Sequence, residues 1–134
     1  MTLEQDRAMD ALEKAKNVKR KDSRDFKEKY RSYVDRLGPT ILMNGLGQAL
    51  ATELAAGGGG HENANQDAHS LLYSNIRSWI CRKGGVYQAG EDLLSALMRN
   101  SQENYLHAQA EVLKWLEWHK KFCRAFLPKP KSVD

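Results

Sequence analysis

Residues 105–126 read YLHAQAEVLKWLEWHKKFCRAF. Tyr105, Ala108, Val112, Trp115, His119, Phe122 and Phe126 recur at steps of three and four, the spacing of one helix face. That seam predicts one continuous helix of roughly 25 residues, about 37 Å long at ~1.5 Å per residue. Leu116 and Cys123 widen the seam. Asn100 is the expected cap, with Glu103 at the capping-box position, and Pro128 and Pro130 stop the helix.

Working back from that helix, the same period recurs. Residues 90–99 hold Leu93, Leu94, Leu97 and Met98, a short fifth helix. Residues 66–82 carry Ala68, Leu71, Leu72, Ile76, Trp79 and Ile80, a fourth helix closed by Gly84 and Gly85. Residues 57–65 open on four glycines and read as a mobile surface loop. Residues 39–56 are almost uncharged and predict a buried third helix, begun by Pro39 after a break at Gly38. Phe26, Tyr30, Tyr33, Val34 and Leu37 mark a second helix, capped by Asp22 or Ser23. Thr2 and Gln5 form a capping box for the first, and whether the first two are one bent helix stays open.

Composition agrees. Leu and Ala number 30, whereas Val, Ile and Thr number 11, a balance that favours helix over sheet. The expected fold is all-α: a bundle of about five to six helices with a long C-terminal helix. It forms a single domain over 1–134, with a frayed tail at 128–134. With 41% hydrophobic and 28% charged residues, and no apolar run near 18, disorder and a membrane span are both excluded. Cys81 and Cys123 stand apart, in no CxxC pair, and read as buried thiols of a cytoplasmic protein.

The net charge is +4, and its distribution says more than its size. Residues 14–36 hold ten bases and four acids, 77–83 add three bases, and 112–134 hold six bases and two acids. Residues 1–13, 37–76 and 84–111 are each net −3. Basic blocks fit a polyanion, since each phosphate contacted releases counterions. Asp22, Asp25 and Glu28 interleave the largest block, so a solvated helix face of mixed charge competes with that reading.

Motifs for chemistry are absent. Gly45-Leu46-Gly47 falls within an apolar helix, not after a strand, so it is read as a flat surface for close helix packing rather than a phosphate loop. Asn44 and Gln48, one turn apart, are read as fixing a buried crossing, with nucleotide contact the alternative. His61, His69, His107 and His119 show no zinc spacing, and His119 reads as a core histidine. No GxSxG or other nucleophile arrangement is present. The expectation is no enzyme, no metal and no cofactor.

The stretch LGPTILMNGLGQALA at 37–51 resembles the small subunit of the Cmr complex, the type III-B CRISPR RNA-guided effector. The order Tyr105, Ala108, Glu111, Leu113, Trp115, Leu116, Trp118, Lys120, Lys121 and Phe122 is similar to that family too, as is a middle helix with Leu72-Tyr73 and Trp79. The resemblance implies a non-catalytic helical subunit that stacks with copies of itself inside the effector. It would contact other Cmr subunits and help hold guide RNA and target RNA. Placed on the basic blocks, the expected RNA-binding residues are Lys16, Lys19, Arg20, Lys21, Arg24, Lys27 and Arg31, then Arg77, Arg82 and Lys83. The two groups are expected to offer one joint surface, and contact should be with the backbone, since base pairing reads sequence. The alternative is a helical protein–protein adaptor without nucleic-acid contact. A helix-turn-helix DNA reader is disfavoured because the third helix is too apolar to recognise bases.

Overall fold

In the computed structural model, residues 1–58 and 66–131 are described. The expected mobile loop falls largely outside these, at 59–65, as do the last three residues of the expected frayed tail, 132–134. The order is α1 (Leu3–Lys19), α2 (Arg24–Asn44), α3 (Leu46–Ala56), α4 (Ala68–Ile80), α5 (Leu93–Arg99) and α6 (Gln102–Phe126). The chain is all-α, as its periodicity requires, and among the described residues there is no strand.

Side-chain caps set most of the helix starts. Thr2 and Gln5 make the reciprocal capping box of α1. Ser23 takes the Phe26 N–H, so α1 and α2 are separate helices. Asp67 and Asp92 open α4 and α5 in the same way. The cap of α6 is Ser101, which accepts from Asn104 N, not the expected Asn100. Asn100 is already engaged in closing α5, where its side chain donates to Ala96 O at 2.9 Å.

The expected break at Gly38-Pro39 does not occur. α2 runs through Pro39 and ends at Asn44. Proline inside a helix removes one hydrogen bond and costs ~3 kcal/mol. Here the apolar period outweighs it. Tyr30, Val34, Leu37 and Ile41 are all at most 1% exposed, one seam spanning the proline. The true break is Gly45, with φ 86° and ψ 159°, a conformation open to glycine. There α2 stops and α3 turns away to pack on α4 and α5. Leu46 N donates to Gln109 Oε1 at 2.9 Å and Gly47 N donates to Tyr105 Oη at 2.8 Å. The first amides of α3 are thus capped by side chains of α6. A Cβ on Gly47 would lie 3.2 Å from Tyr105 Oη, so the close packing expected of this glycine pair is real. Asn44 and Gln48, expected at a buried crossing, are both exposed, because the turn at Gly45 rotates them outward.

Two glycines therefore respond in opposite directions. Gly45→Ala should destabilise by ~1–3 kcal/mol, because alanine is strained at this φ and its Cβ meets Tyr105 Oη at 3.3 Å. Gly38→Ala, with open space around it inside α2, should stabilise by ~0.5–1 kcal/mol. Urea unfolding followed by circular dichroism measures both, and a stabilised Gly45→Ala would refute the assigned bend.

The core lies around α6. α1 runs parallel to it, with Arg7 beside Glu111, Asp10 beside Trp115 and Ala11 beside His119. α2 runs antiparallel, from Arg31 at Leu127 to Leu46 at Gln109. α4 fills the third side, bringing Asn75 to Tyr30 and Trp79 to Glu111. Trp115 and His119 are buried as expected, and so are the free thiols Cys81 and Cys123.

Candidate nucleic-acid interface

The parallel run of α1 with α6, and the antiparallel return of α2, place three helix termini at one end of the bundle. The last turns of α1 carry Lys16, Lys19 and Arg20, followed by Lys21 in the turn beyond. The first turns of α2 carry Arg24, Lys27 and Arg31. The ends of α1 and α2 are tied together, since Lys27 Nζ reaches Lys19 O at 3.5 Å. Arg31 Nη1 donates to Leu127 O at 3.0 Å, which holds the end of α6 against α2. Seven of the ten expected residues are therefore brought to one basic end.

Their remaining bonds sort them. Lys16, Lys19 and Arg20 are exposed and meet no carboxylate among the described residues. Arg24 pairs with Glu28 at 2.8 Å. Lys21 Nζ lies 4.8 Å from the Phe26 ring centroid. Helix C-termini carry partial negative charge, which accounts for one or two of these cations but not for the whole set.

Arg77, Arg82 and Lys83 lie elsewhere. They sit in the last turn of α4 and just beyond it, and Arg82 lies near Asp6, Arg7 and Asp10 in the first half of α1. Arg77 and Arg82 hydrogen-bond to the carbonyls of Trp79, Gly90 and Glu91, not to the basic end. Arg77 spends its guanidinium on Glu91 O at 2.8 Å and Gly90 O at 2.9 Å, fixing the turn before α5. Arg82 stacks 3.4 Å above the Trp79 ring centroid, and burial lowers its pKa, with Glu111, Asp10 and Asp6 opposing. Of the three, Lys83 alone is exposed.

Sequence reading missed two contributors to the basic end. Phe126, expected in the core seam, packs against the core but is only half-buried, with Lys19 Nζ 5.3 Å above its ring. Lys129 and Lys131 follow directly from the anchored Leu127 and are exposed. The positive C-terminal block was the available signal. Its partner across space was not visible.

Other chemistry finds little support in the geometry. The amides at the start of α3, which a phosphate would need, are taken by Gln109 and Tyr105. Among the described residues, no group of three or more His, Cys, Asp or Glu is placed to hold a metal. Burial raises the pKa of Cys81 to about 11, and that of Cys123 further, which disfavours thiolates at neutral pH. Among the described residues, no helix is long and apolar enough to cross a membrane.

A crystal structure of a CRISPR-associated Cmr5 family protein from Thermus thermophilus is similar to this chain, with a TM-score of 0.73 and 25% identity. The match covers 96% of this chain and 100% of that one. The family model described as CRISPR-associated protein (Cas_Cmr5) matches residues 3–126, which include all six helices and the Gly45 bend. The chain therefore belongs to the Cmr5 family of CRISPR-associated proteins, the small subunit of the type III-B Cmr complex.

Proposed function

We propose that this protein is a non-catalytic RNA-holding and assembly subunit of a cytoplasmic type III-B effector. It folds as one domain, stacks with copies of itself, and contacts guide RNA and target RNA through their backbones. The carrying observation is the basic end, where Lys16, Lys19 and Arg20 are exposed without acidic partners beside Lys21, Arg24, Lys27 and Arg31. Exposed cations without acidic partners are available to phosphate, whereas the bases of α4 are largely committed to the protein itself. The far end supports the assembly half of the reading. Leu42 and Met43, in the last turn of α2, are 73% and 84% exposed. Large apolar side chains left in water beside the Gly45 bend fit contact with a neighbouring subunit.

The test is fluorescence anisotropy of a labelled single-stranded RNA, titrated at several salt concentrations. Log affinity should fall with log salt by about 0.7 per phosphate contacted and should ignore sequence. Charge reversal at Lys19, Arg20 and Arg24 together should weaken binding at least tenfold and reduce the salt slope by roughly 2. Unchanged affinity would overturn the RNA-holding role of this end and favour the adaptor reading, in which the basic residues meet acidic protein surfaces.

A further inference from the structure

The basic end is not a flat patch. Where the last turns of α1 and α6 meet, Lys16, Lys19, Arg20 and Phe126 line an open notch of about 370 Å³. The geometry points to a subsite for one unpaired nucleotide of RNA in this notch, with the three cations holding its phosphate and the Phe126 ring taking the face of its base. This rests on the RNA-holding role proposed above and adds what that role leaves open, namely the strandedness of the RNA and a ring contact.

Three observations carry it. The notch walls contain no carboxylate, so nothing in them repels an anion. Arg20 is already oriented, since its Nη1 donates to Asn17 Oδ1 at 2.8 Å, a neutral partner that leaves its charge unspent. Phe126 is half-buried, like Phe122 one turn before it, so part of its ring faces the notch, and the cation over it is Lys19. Ordinary charge at a helix C-terminus explains a lysine or two, because that terminus carries roughly half a negative charge. It does not explain three cations grouped around an aromatic ring.

Cations beside an aromatic face are the pairing that binds single strands, whose bases have free faces. In an A-form duplex those faces are stacked on each other and closed to a side chain. The notch is therefore selective for an unpaired nucleotide, at an end or between paired stretches. Lys129 and Lys131 continue the positive path away from it.

The experiment compares Phe126→Leu with Phe126→Tyr. Each is titrated with a single-stranded oligouridine and with an RNA duplex of matched length, after circular dichroism confirms the wild-type helical signal. Loss of the ring in Phe126→Leu should weaken oligouridine binding about tenfold, while Phe126→Tyr stays near wild type. Duplex binding should hardly change in either. The salt slope should also persist in Phe126→Leu, because a ring releases no counterion, whereas Lys16→Gln with Lys19→Gln should lower it by roughly 1.4. Equal affinity of Phe126→Leu and Phe126→Tyr for oligouridine would overturn the ring contact while leaving the RNA-holding role intact. Equal loss on single strand and duplex would overturn the selectivity. No RNA binding by the unaltered protein would overturn both readings, and the wild-type titration alone reveals it.

Discussion

Arg7→Met should destabilise the protein by ~3–5 kcal/mol, more than any surface substitution. Arg7 is 4% exposed and Glu111 is 6% exposed. The guanidinium donates through Nε to Glu111 Oε2 at 2.6 Å and through Nη2 to Glu111 Oε1 at 2.8 Å. It also reaches Glu4, and Trp79 Nε1 donates to Glu111 Oε2 at 2.9 Å. One carboxylate thus joins α1, α4 and α6. Burial pushes the Glu111 carboxyl up, but Arg7 and Trp79 together outweigh it and hold it below the usual range. Without Arg7, Glu111 keeps Trp79 as its one hydrogen-bond donor, and burial pushes its carboxyl up. Thermal unfolding should fall by roughly 10–20 °C for a chain of this size. Arg7→Met combined with Glu111→Leu should recover much of the loss, because an uncompensated buried charge costs more than an apolar pair. A single variant as stable as wild type would show that the pair is not buried in solution.

The second large effect is loss of stability in mild acid. His119 is wholly buried and joins four helices. Its Nδ1–H donates to Ala11 O at 2.9 Å, since a carbonyl only accepts. Its Nε2 therefore accepts from Tyr30 Oη at 2.6 Å, and Tyr30 Oη accepts from Asn75 Nδ2 at 2.9 Å. Every proton in this chain has one place to go, and a proton added at Nε2 would take the acceptor from the buried Tyr30 O–H. Trp115 stacks on the ring at 4.2 Å. Burial foremost lowers the His119 pKa to about 4, with the Lys14 charge adding and Ala11 O opposing. The unfolded chain has the ordinary value near 6.5, so between these values it binds more protons than the folded one. Stability is therefore full above pH ~7 and falls as pH drops, by about 2 kcal/mol at pH ~5 and about 3 kcal/mol by pH ~4. The urea midpoint should move down by roughly 1 M between pH ~7.5 and ~5. His119→Gln should be less stable at neutral pH but flat across that interval. A wild-type midpoint that does not move would show the ring charged or open to water.

Local rules made much of the fold legible. Periodicity along α6 and α4, the capping box at Thr2 and the core positions of Trp115 and His119 all follow from spacing within a few turns. The mistakes share one cause. Pro39 signals a helix end locally, but the seam of Tyr30, Val34, Leu37 and Ile41 is buried against α4 and α6, and that burial exceeds what proline costs. Asn100 and Ser101 are equally good caps by composition, and the carbonyl of Ala96 decides between them.

The basic end shows the same division. Charge along the chain identifies the block at 14–36, because composition needs no neighbours. It does not reveal that Phe126 and Lys129, about a hundred residues later, stand beside it, nor that Arg77 and Arg82 are turned to carbonyls and a tryptophan ring. By itself the sequence determined the helical class, the helix faces and the family, since these rest on local period and motif. Packing of the helices sets where α2 ends, which cations have no acidic partner and which ring lies among them. Those outcomes depend on contacts between residues far apart in the chain, where packing and pairing across helices override local propensity.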